Sequence, residues 1–399
     1  MKKKIMFIGA GLLQSYVIKR AKALGYITVC VDGDSEAIGF KYADYYKVID
    51  IVDQEKCLRY AKEMNIDGVV TVATDYGVLT ASYIAEKLGL KGNPYKVCEI
   101  IKNKYLVRKI LAEKNVDSTP EFYEINNISE VDNFIKDIEY PVIVKPCDGS
   151  GSRGIKRIDA MEDLKPACKK AREVSLSKNV LIEHFIEGKE YGVESFVHNG
   201  EVYILAIMEK TMTRPPVYAE LGHCSFSGLD SKIENAIKDK VSKAIVALGL
   251  VTGSVNMDLL ITENKDIYII DIGARMGGNL IGSHIVPLST GIDYIDNIIK
   301  ESLGESVDLN RTIFDQVIAT RILTLTPGII QDIGDMSDIQ NSGDVCDLIL
   351  NINQNDTINQ YKNNTDGCGY IVVSSKDAGT AQNRALEIKN EIDRRITRY

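Results

Sequence analysis

A chain of 399 residues, 45% hydrophobic and 26% charged, is too long for one core and predicts a globular protein of roughly two to four domains. A net charge of -8, with no Lys/Arg run and no aromatic-basic interleaving, excludes a general nucleic-acid binder. Eight cysteines without a CxxC pair and four scattered histidines predict free thiols in a reducing compartment, with neither a zinc site nor a disulfide framework.

The start, MKKKIMFIGAGLLQ, has the basic and apolar parts of an export signal. The apolar run breaks at Gln14-Ser15, however, and Lys19-Arg20 precede the only cleavage-like triplet, Ala21-Lys22-Ala23. No apolar stretch reaches the roughly 20 residues of a membrane span, so a cytoplasmic location with no membrane partner is expected. Residues 4–9 then read as a buried strand, and Gly9-Ala10-Gly11 turns into a helix with Leu13, Tyr16, Val17, Ala21 and Leu24 on one face. Strands at Ile27–Val31, Tyr46–Ile51 and Gly68–Val72 alternate with a helix at Gln54–Met64, the pattern of a doubly wound parallel sheet. GAGLLQ lacks the third glycine of a dinucleotide fingerprint. Asp32 is either a ribose-binding acid at a strand end or a turn residue in VDGD. Thr74-Asp75-Tyr76 follows a strand's C-terminal end, where open sheets bind ligands; Asp75 would hold a substrate ammonium or cap a helix.

One charged helix is predicted over Cys98–Lys114, ending before Ser118-Thr119-Pro120. Residues 121–195 read as a small α/β module with strands at Pro141–Lys145, Gly154–Ile158 and Val180–Glu183 and a helix at Met161–Val174. Lys145 ends the run PVIVKP beside a loop of Gly149, Ser150, Gly151, Ser152 and Gly154. Backbone N–H groups of such small residues converge on phosphate oxygens while the ammonium supplies charge. The same residues also suit a plain hairpin turn. In IEHFIEGKEYGVE, backbone groups at 183–186 would pair with an adenine edge and Glu190 would accept from ribose hydroxyls, although charges around a turn are usually solvated. A hairpin follows over 192–210, turning at Asn199-Gly200.

Two runs rich in β-branched residues, Val251–Ile261 and Ile267–Ile272, flank the polar tip Thr262–Asp266 and predict a second hairpin. Antiparallel pairing would bring Asp258 near Asp271, and two close carboxylates repel unless a cation lies between them. Hard Mg²⁺ takes oxygen ligands and keeps positions for phosphate. Arg275 follows with a fork suited to phosphate or carboxylate, and Gly277-Gly278 let a ligand approach the backbone. A last α+β unit over 320–399 is expected to carry strands near Ala319–Thr324 and Tyr370–Val373 and a closing helix at Thr380–Thr397; Gln354–Thr365 reads as a polar loop.

The order of these parts resembles the ATP-grasp superfamily, most specifically from Asn103 to Ile281 and within its carboxylate–amine, L-amino acid ligase-like branch. The resemblance implies an α/β and α+β fold. It comprises a Rossmann-like pre-ATP-grasp domain over 1–95, a two-subdomain ATP-grasp domain over 96–315 with a mobile lid at about 121–187, and a C-terminal α+β domain over 316–399. By position, it implies that Lys104 and Lys145 contact ATP phosphates under the 150–154 loop. Glu183, Phe185 and Ile186 would form the adenine hinge, Glu190 would hold the ribose and Leu260 would pack on the base. Asp258 and Asp271 would ligate Mg²⁺, or Mn²⁺ in its place. Arg275 would bind the reacting carboxylate, and Glu220 and His223, in a PP…E-x-G-H segment, would lie near the acyl phosphate. Gly273 stands where many relatives have Asn, so water, Asn279 or substrate oxygen would complete the coordination; both acids are Asp where Glu is common.

The implied activity is ATP-dependent amide formation between a small-molecule carboxylate and an amine, with a homodimer as the default assembly. The competing readings are ATP-dependent carboxylation or carbamoyl chemistry on the same scaffold, a nicotinamide-dependent reductase, and a non-catalytic nucleotide-binding protein.

Overall fold

A computed structural model describes residues 2–117, 121–133, 138–149, 151, 153–215, 217–312 and 314–399. The N-terminal strands β1 (Lys4–Ile8), β2 (Ile27–Asp32), β3 (Tyr45–Val48) and β4 (Gly68–Val70) form a parallel sheet in the order β3-β2-β1-β4. Its crossovers are α1 (Leu12–Ala23) and α2 (Gln54–Met64), with α3 (Val78–Leu88) following. Asp32 fills the turn role considered for it, accepting from the Asp34 amide two residues on, and it also accepts from the Ala10 amide, tying the glycine turn to the strand end.

The single helix expected over Cys98–Lys114 is two, α4 (Tyr95–Lys102) and α5 (Lys104–Glu113). Asn103 adopts an extended conformation between them, and its side chain accepts from the Tyr105 and Leu106 amides. A good N-cap inside an otherwise continuous apolar pattern thus restarts the helix, with Lys104 as the first residue of the new one. The expected helix end at Ser118-Thr119-Pro120 lies outside the described residues.

A separate antiparallel sheet follows: β5 (Phe122–Ile125), β6 (Val142–Pro146), β7 (Lys156–Ile158) and β8 (Val180–His184), in the order β5-β8-β6-β7. Helix α6 (Met161–Val174) covers it, burying Leu164, Ala167, Cys168 and Ala171 against Val142, Val144 and Ile182.

The largest sheet holds eight strands. It contains β9 (Lys189–His198), β10 (Glu201–Met212), β11 (Glu220–Cys224), β12 (Gly253–Ile261) and β13 (Ile267–Gly273), with α7 (Ser231–Leu248) packed on one face. A π-helical turn (Ile281–Ile285) leads into α8 (Val286–Thr290) and α9 (Tyr294–Ser302). Then come β14 (Val317–Ile322), β15 (Gly328–Asp332), α10 (Ser337–Gln340), β16 (Val345–Leu350), β17 (Thr357–Ile358), β18 (Gly369–Ser375), α11 (Ala378–Arg395) and β19 (Thr397–Arg398). The order β13-β12-β9-β10-β11-β14-β18-β16 makes the C-terminal strands a continuation of the same sheet. The joint is β11 against β14, with Gly222 opposite Arg321. A Cβ at Gly222 would lie 2.0 Å from the Thr320 carbonyl oxygen, so only glycine lets these strands approach.

Gly222→Ala should therefore lower the melting temperature markedly, by separating the backbones at the joint. Gly200→Ala, at a turn with φ +79° and open space around it, should cost only about 1–2 kcal/mol. Thermal and urea melts of both variants check this; equal losses would remove the joint's special status.

Candidate active site

One cavity of about 720 Å³ opens where the hairpin strands, the smaller antiparallel sheet and the C-terminal ends of the parallel strands converge. That volume suits a small-molecule site. At its floor, the register of β12 on β13 sets Asp258 directly opposite Asp271, with a bulge immediately after Asp258. Each carboxylate is held by a lysine from another element. Lys104, the first residue of α5, donates to both Asp271 oxygens at 2.8 and 3.0 Å and to the Gly149 carbonyl at 3.0 Å. Lys210, on β10, lies 3.0 Å from Asp258, 2.6 Å from Glu220 and 3.3 Å from Glu190, with its side chain 2% exposed.

Burial alone would lower the Lys210 ammonium, but Asp258, Glu220 and Glu190 together hold it well above its ordinary value. Burial, opposed by Lys210 and reinforced by Glu220, Glu190 and Asp271, pushes the Asp258 carboxyl up to about 7. A further cation between the two aspartates would relieve that repulsion. Among the described residues no three His, Cys, Asp or Glu side chains gather as a metal cage. Two hard carboxylates without a third ligand fit Mg²⁺, which is often held by one or two carboxylates plus substrate phosphate and water. Asn279, considered as a substitute ligand, is committed elsewhere: its amide nitrogen donates to Glu220 and its oxygen accepts from Tyr370 at 3.2 Å.

Gly149, Gly151 and Arg153 of the glycine-rich loop line another wall. Lys145, on β6, pairs with Glu183 on β8, and Arg108 from α5 holds the same carboxylate at 3.0 Å. Burial would raise Glu183, but Arg108 and Lys145 bring it to about 2. Burial also lowers the Lys145 ammonium, and Glu183 offsets this only in part because Arg108 and Lys104 are close. Gly151 lines the cavity with φ +63°; Gly154, φ +74°, packs on Pro146 and Val174 instead. Ser150 and Ser152 lie outside the described residues. Glu183 is inside a central strand, and the Phe185 amide donates to the Pro141 carbonyl. Phe185, Ile186, Glu190 and Leu260 all line the cavity, with the Arg157 guanidinium 4.4 Å above the Phe185 ring.

At the third wall, His223 is 3% exposed, and its Nδ1 has no hydrogen-bond partner among the described residues. Burial pulls its imidazole down to about 4, so it is neutral at pH 7. Glu220 is held at about 2 by Lys210 and His223 despite its burial. It also accepts from Asn364 at 3.0 Å, and Tyr361 donates to its backbone carbonyl. The segment read as a plain polar loop thus reaches the site. Arg275 is met by Asp75, which takes its Nε and Nη2 at 2.8 and 3.1 Å. Gly278 lines the cavity, whereas the Gly277 amide donates to Glu194. Glu194, fully buried, also accepts from Tyr294 at 2.6 Å and Asn256 at 3.0 Å.

Lys210 belongs to the polar segment Glu209-Lys210-Thr211 that the sequence places over the site, though with no role assigned, while the sequence patterns assign nothing to Arg108 and Glu194. A signal existed for each: a charge inside an apolar strand run, or one turn beyond Lys104 on a helix's buried stripe, is rarely fully buried without a partner.

Residues 138–283 match the ATP-grasp domain and residues 321–397 match L-amino acid ligase C-terminal domain 2. An uncharacterised protein of Sinorhizobium fredii is 26% identical over 348 residues, 82% of this chain and 69% of the relative. The carbamoyl phosphate synthase large chain of Caldanaerobacter subterraneus is 22% identical over 75% of this chain, which spans only 28% of that protein. The L-amino acid ligase of Bacillus licheniformis shares the fold with a TM-score of 0.83, at 21% identity over 100% of this chain and 99% of that one. No helix among the described residues is long and apolar enough to cross a membrane.

Glu194 supplies a pH test. Burial, against the hydrogen bonds of Tyr294, Gly277 and Asn256, pushes its carboxyl up to about 7 from 4.5. Between those values the folded state keeps a proton that the unfolded chain has released. The resulting stabilisation is complete below about 4.5 and is lost as pH rises through about 7, on the order of 3 kcal/mol. Glu194→Gln should flatten the fall in melting temperature between pH 5 and 8; an unchanged slope would remove Glu194 as its source.

Proposed function

We propose that this chain, which belongs to the ATP-grasp superfamily and carries an L-amino acid ligase C-terminal domain, joins a carboxylate to an amine with ATP, using amino acids as substrates. The observation that carries this reading is a single cavity lined by the cross-strand pair Asp258 and Asp271, by Lys104 and Lys145, and by Arg275. A carboxylate is a poor acyl donor because its leaving group would be oxide. Moving the γ-phosphoryl group of ATP onto a carboxylate oxygen gives ADP and an acyl phosphate. An amine then attacks the carbonyl carbon, forms the C–N bond and releases phosphate.

Each step needs positioned charge rather than a protein nucleophile. Lys104 and Lys145 would turn from Asp271 and Glu183 to the phosphates. Asp258 and Asp271 would hold Mg²⁺, which supplies charge neutralisation at the phosphate oxygens. Arg275 would fix the carboxylate through two parallel hydrogen bonds. His223, neutral and with an unpartnered ring nitrogen, would accept a hydrogen bond from the incoming amine. The smaller antiparallel sheet, as a lid, would exclude water from the acyl phosphate.

A second reading, carboxylation or carbamoyl chemistry, draws on the similarity to carbamoyl phosphate synthase. ADP release that requires bicarbonate and no amino-acid pair would identify it.

The test is a phosphate-release screen over amino-acid pairs with ATP and Mg²⁺, followed by mass analysis of products. Arg275→Ala should reduce product formation by ~100-fold or more while ATP affinity stays within a few-fold. Normal product with a normal melt would reject Arg275 as carboxylate ligand, and a collapsed melt would assign it a structural role.

A further inference from the structure

Arg275 can receive a substrate carboxylate only if Asp75 lets go, because both Asp75 oxygens now occupy its fork. Asp75 lines the cavity with its side chain 17% exposed, and Arg275 and nearby lysines hold its carboxyl below the ordinary range despite that partial burial. Released without a new partner, it would be an unpaired charge largely withdrawn from water, which is unfavourable. A waiting cation would remove that cost.

Lys102 has that position. It ends α4, immediately before the Asn103 break that separates it from Lys104. Its Nζ is buried and has no hydrogen-bond partner among the described residues. The ammonium lies 4.5 Å from the centroid of the Tyr76 ring, and Tyr76 directly follows Asp75 in the chain. Lys104, Asp148 and Asp271 also act on the ammonium, and the Arg153 guanidinium lies 5.4 Å from the same ring centroid while donating to the Tyr76 hydroxyl. Asp271 is engaged by Lys104, while Asp148 accepts from Ser175 and from the Leu176 and Ser177 amides. Asp75 is thus the acid for which a change of partner would complete Lys102.

We propose that Lys102 is a positioning residue that takes over Asp75 when a substrate carboxylate displaces it from Arg275. One carboxylate enters the fork, another moves to a buried ammonium, and no charge is left unpaired. The inference rests on the proposed role of Arg275. It adds a residue that touches neither nucleotide nor substrate and makes the α4–α5 break functional, since the break presents Lys102 to Asp75 and Lys104 to Asp271.

Two measurements test it. In steady-state assays, Lys102→Met should raise KM for the carboxylate substrate at least 10-fold, with kcat and ATP affinity within about 2-fold of wild type. In an Asp75→Asn background, where no charge must be rehoused, Lys102→Met should leave KM unchanged. A persisting KM increase there would overturn the exchange and make Lys102 a direct ligand. The second measurement needs no activity. In Arg275→Ala, Asp75 should turn to Lys102, so Arg275→Ala/Lys102→Met should melt well below the sum of the single losses. Additive melting losses would refute the exchange. If wild type releases no phosphate with any amino-acid pair, the ligase reading fails by itself and the melting cycle still decides whether Lys102 receives Asp75.

Discussion

The candidate site depends on one buried ammonium. Lys210 stands among Asp258, Glu190 and Glu220, three carboxylates from three different strands, and is almost wholly removed from water. Removing one partner from a buried ion pair typically costs ~3–5 kcal/mol, so a cluster in which one cation serves three anions can exist only if the strands hold it rigidly. The eight-stranded sheet does so: β9, β10, β11 and β12 are consecutive neighbours within it. The imbalance that remains gives the cluster its chemistry. An acid pushed up to about 7 beside a second acid across the hairpin is an anionic floor short of positive charge. The metal ion of a bound metal–nucleotide complex would supply positive charge there.

The same economy governs the other walls. Lys104 and Lys145, proposed to meet phosphate, are parked on Asp271 and Glu183. Arg275, proposed to meet a carboxylate, is parked on Asp75. In each case a protein carboxylate stands where the proposed ligand anion would bind, so these cations are not left unpaired. On the proposed roles, ligand binding would be an exchange of anions rather than the filling of a bare positive pocket.

Much of this was legible in the chain. Alternation and β-branched content located the Asp258/Asp271 hairpin, and the observed register pairs those two residues. The helices at Gln54–Met64 and Met161–Val174 were bounded as the apolar spacing indicates. The single helix over Cys98–Lys114 was misread because its apolar stripe continues across Asn103, and only the cap geometry reveals the restart. What the chain could not disclose is pairing across long separations. Nothing near Lys210 announces Glu190 and Asp258 as its partners, and nothing near Arg275 points 200 residues back to Asp75. The tail of the site was hidden for another reason: an Asn-rich segment has turn composition whether or not a residue such as Asn364 reaches a buried glutamate.

The continuous sheet also limits how such a chain can be recombined. Strands β14, β18 and β16 look like the core of a portable C-terminal module, yet β11 covers the edge of β14. Cutting between them would uncover two sticky borders, one on each fragment, with buried residues such as Ala319 and Cys224 brought to the surface. Chimeras meant to graft a new tail onto this scaffold would have to carry the β11 segment along with it. In that architecture, Glu220 and His223 travel with the tail whose Tyr361 and Asn364 reach Glu220, rather than with the hairpin floor.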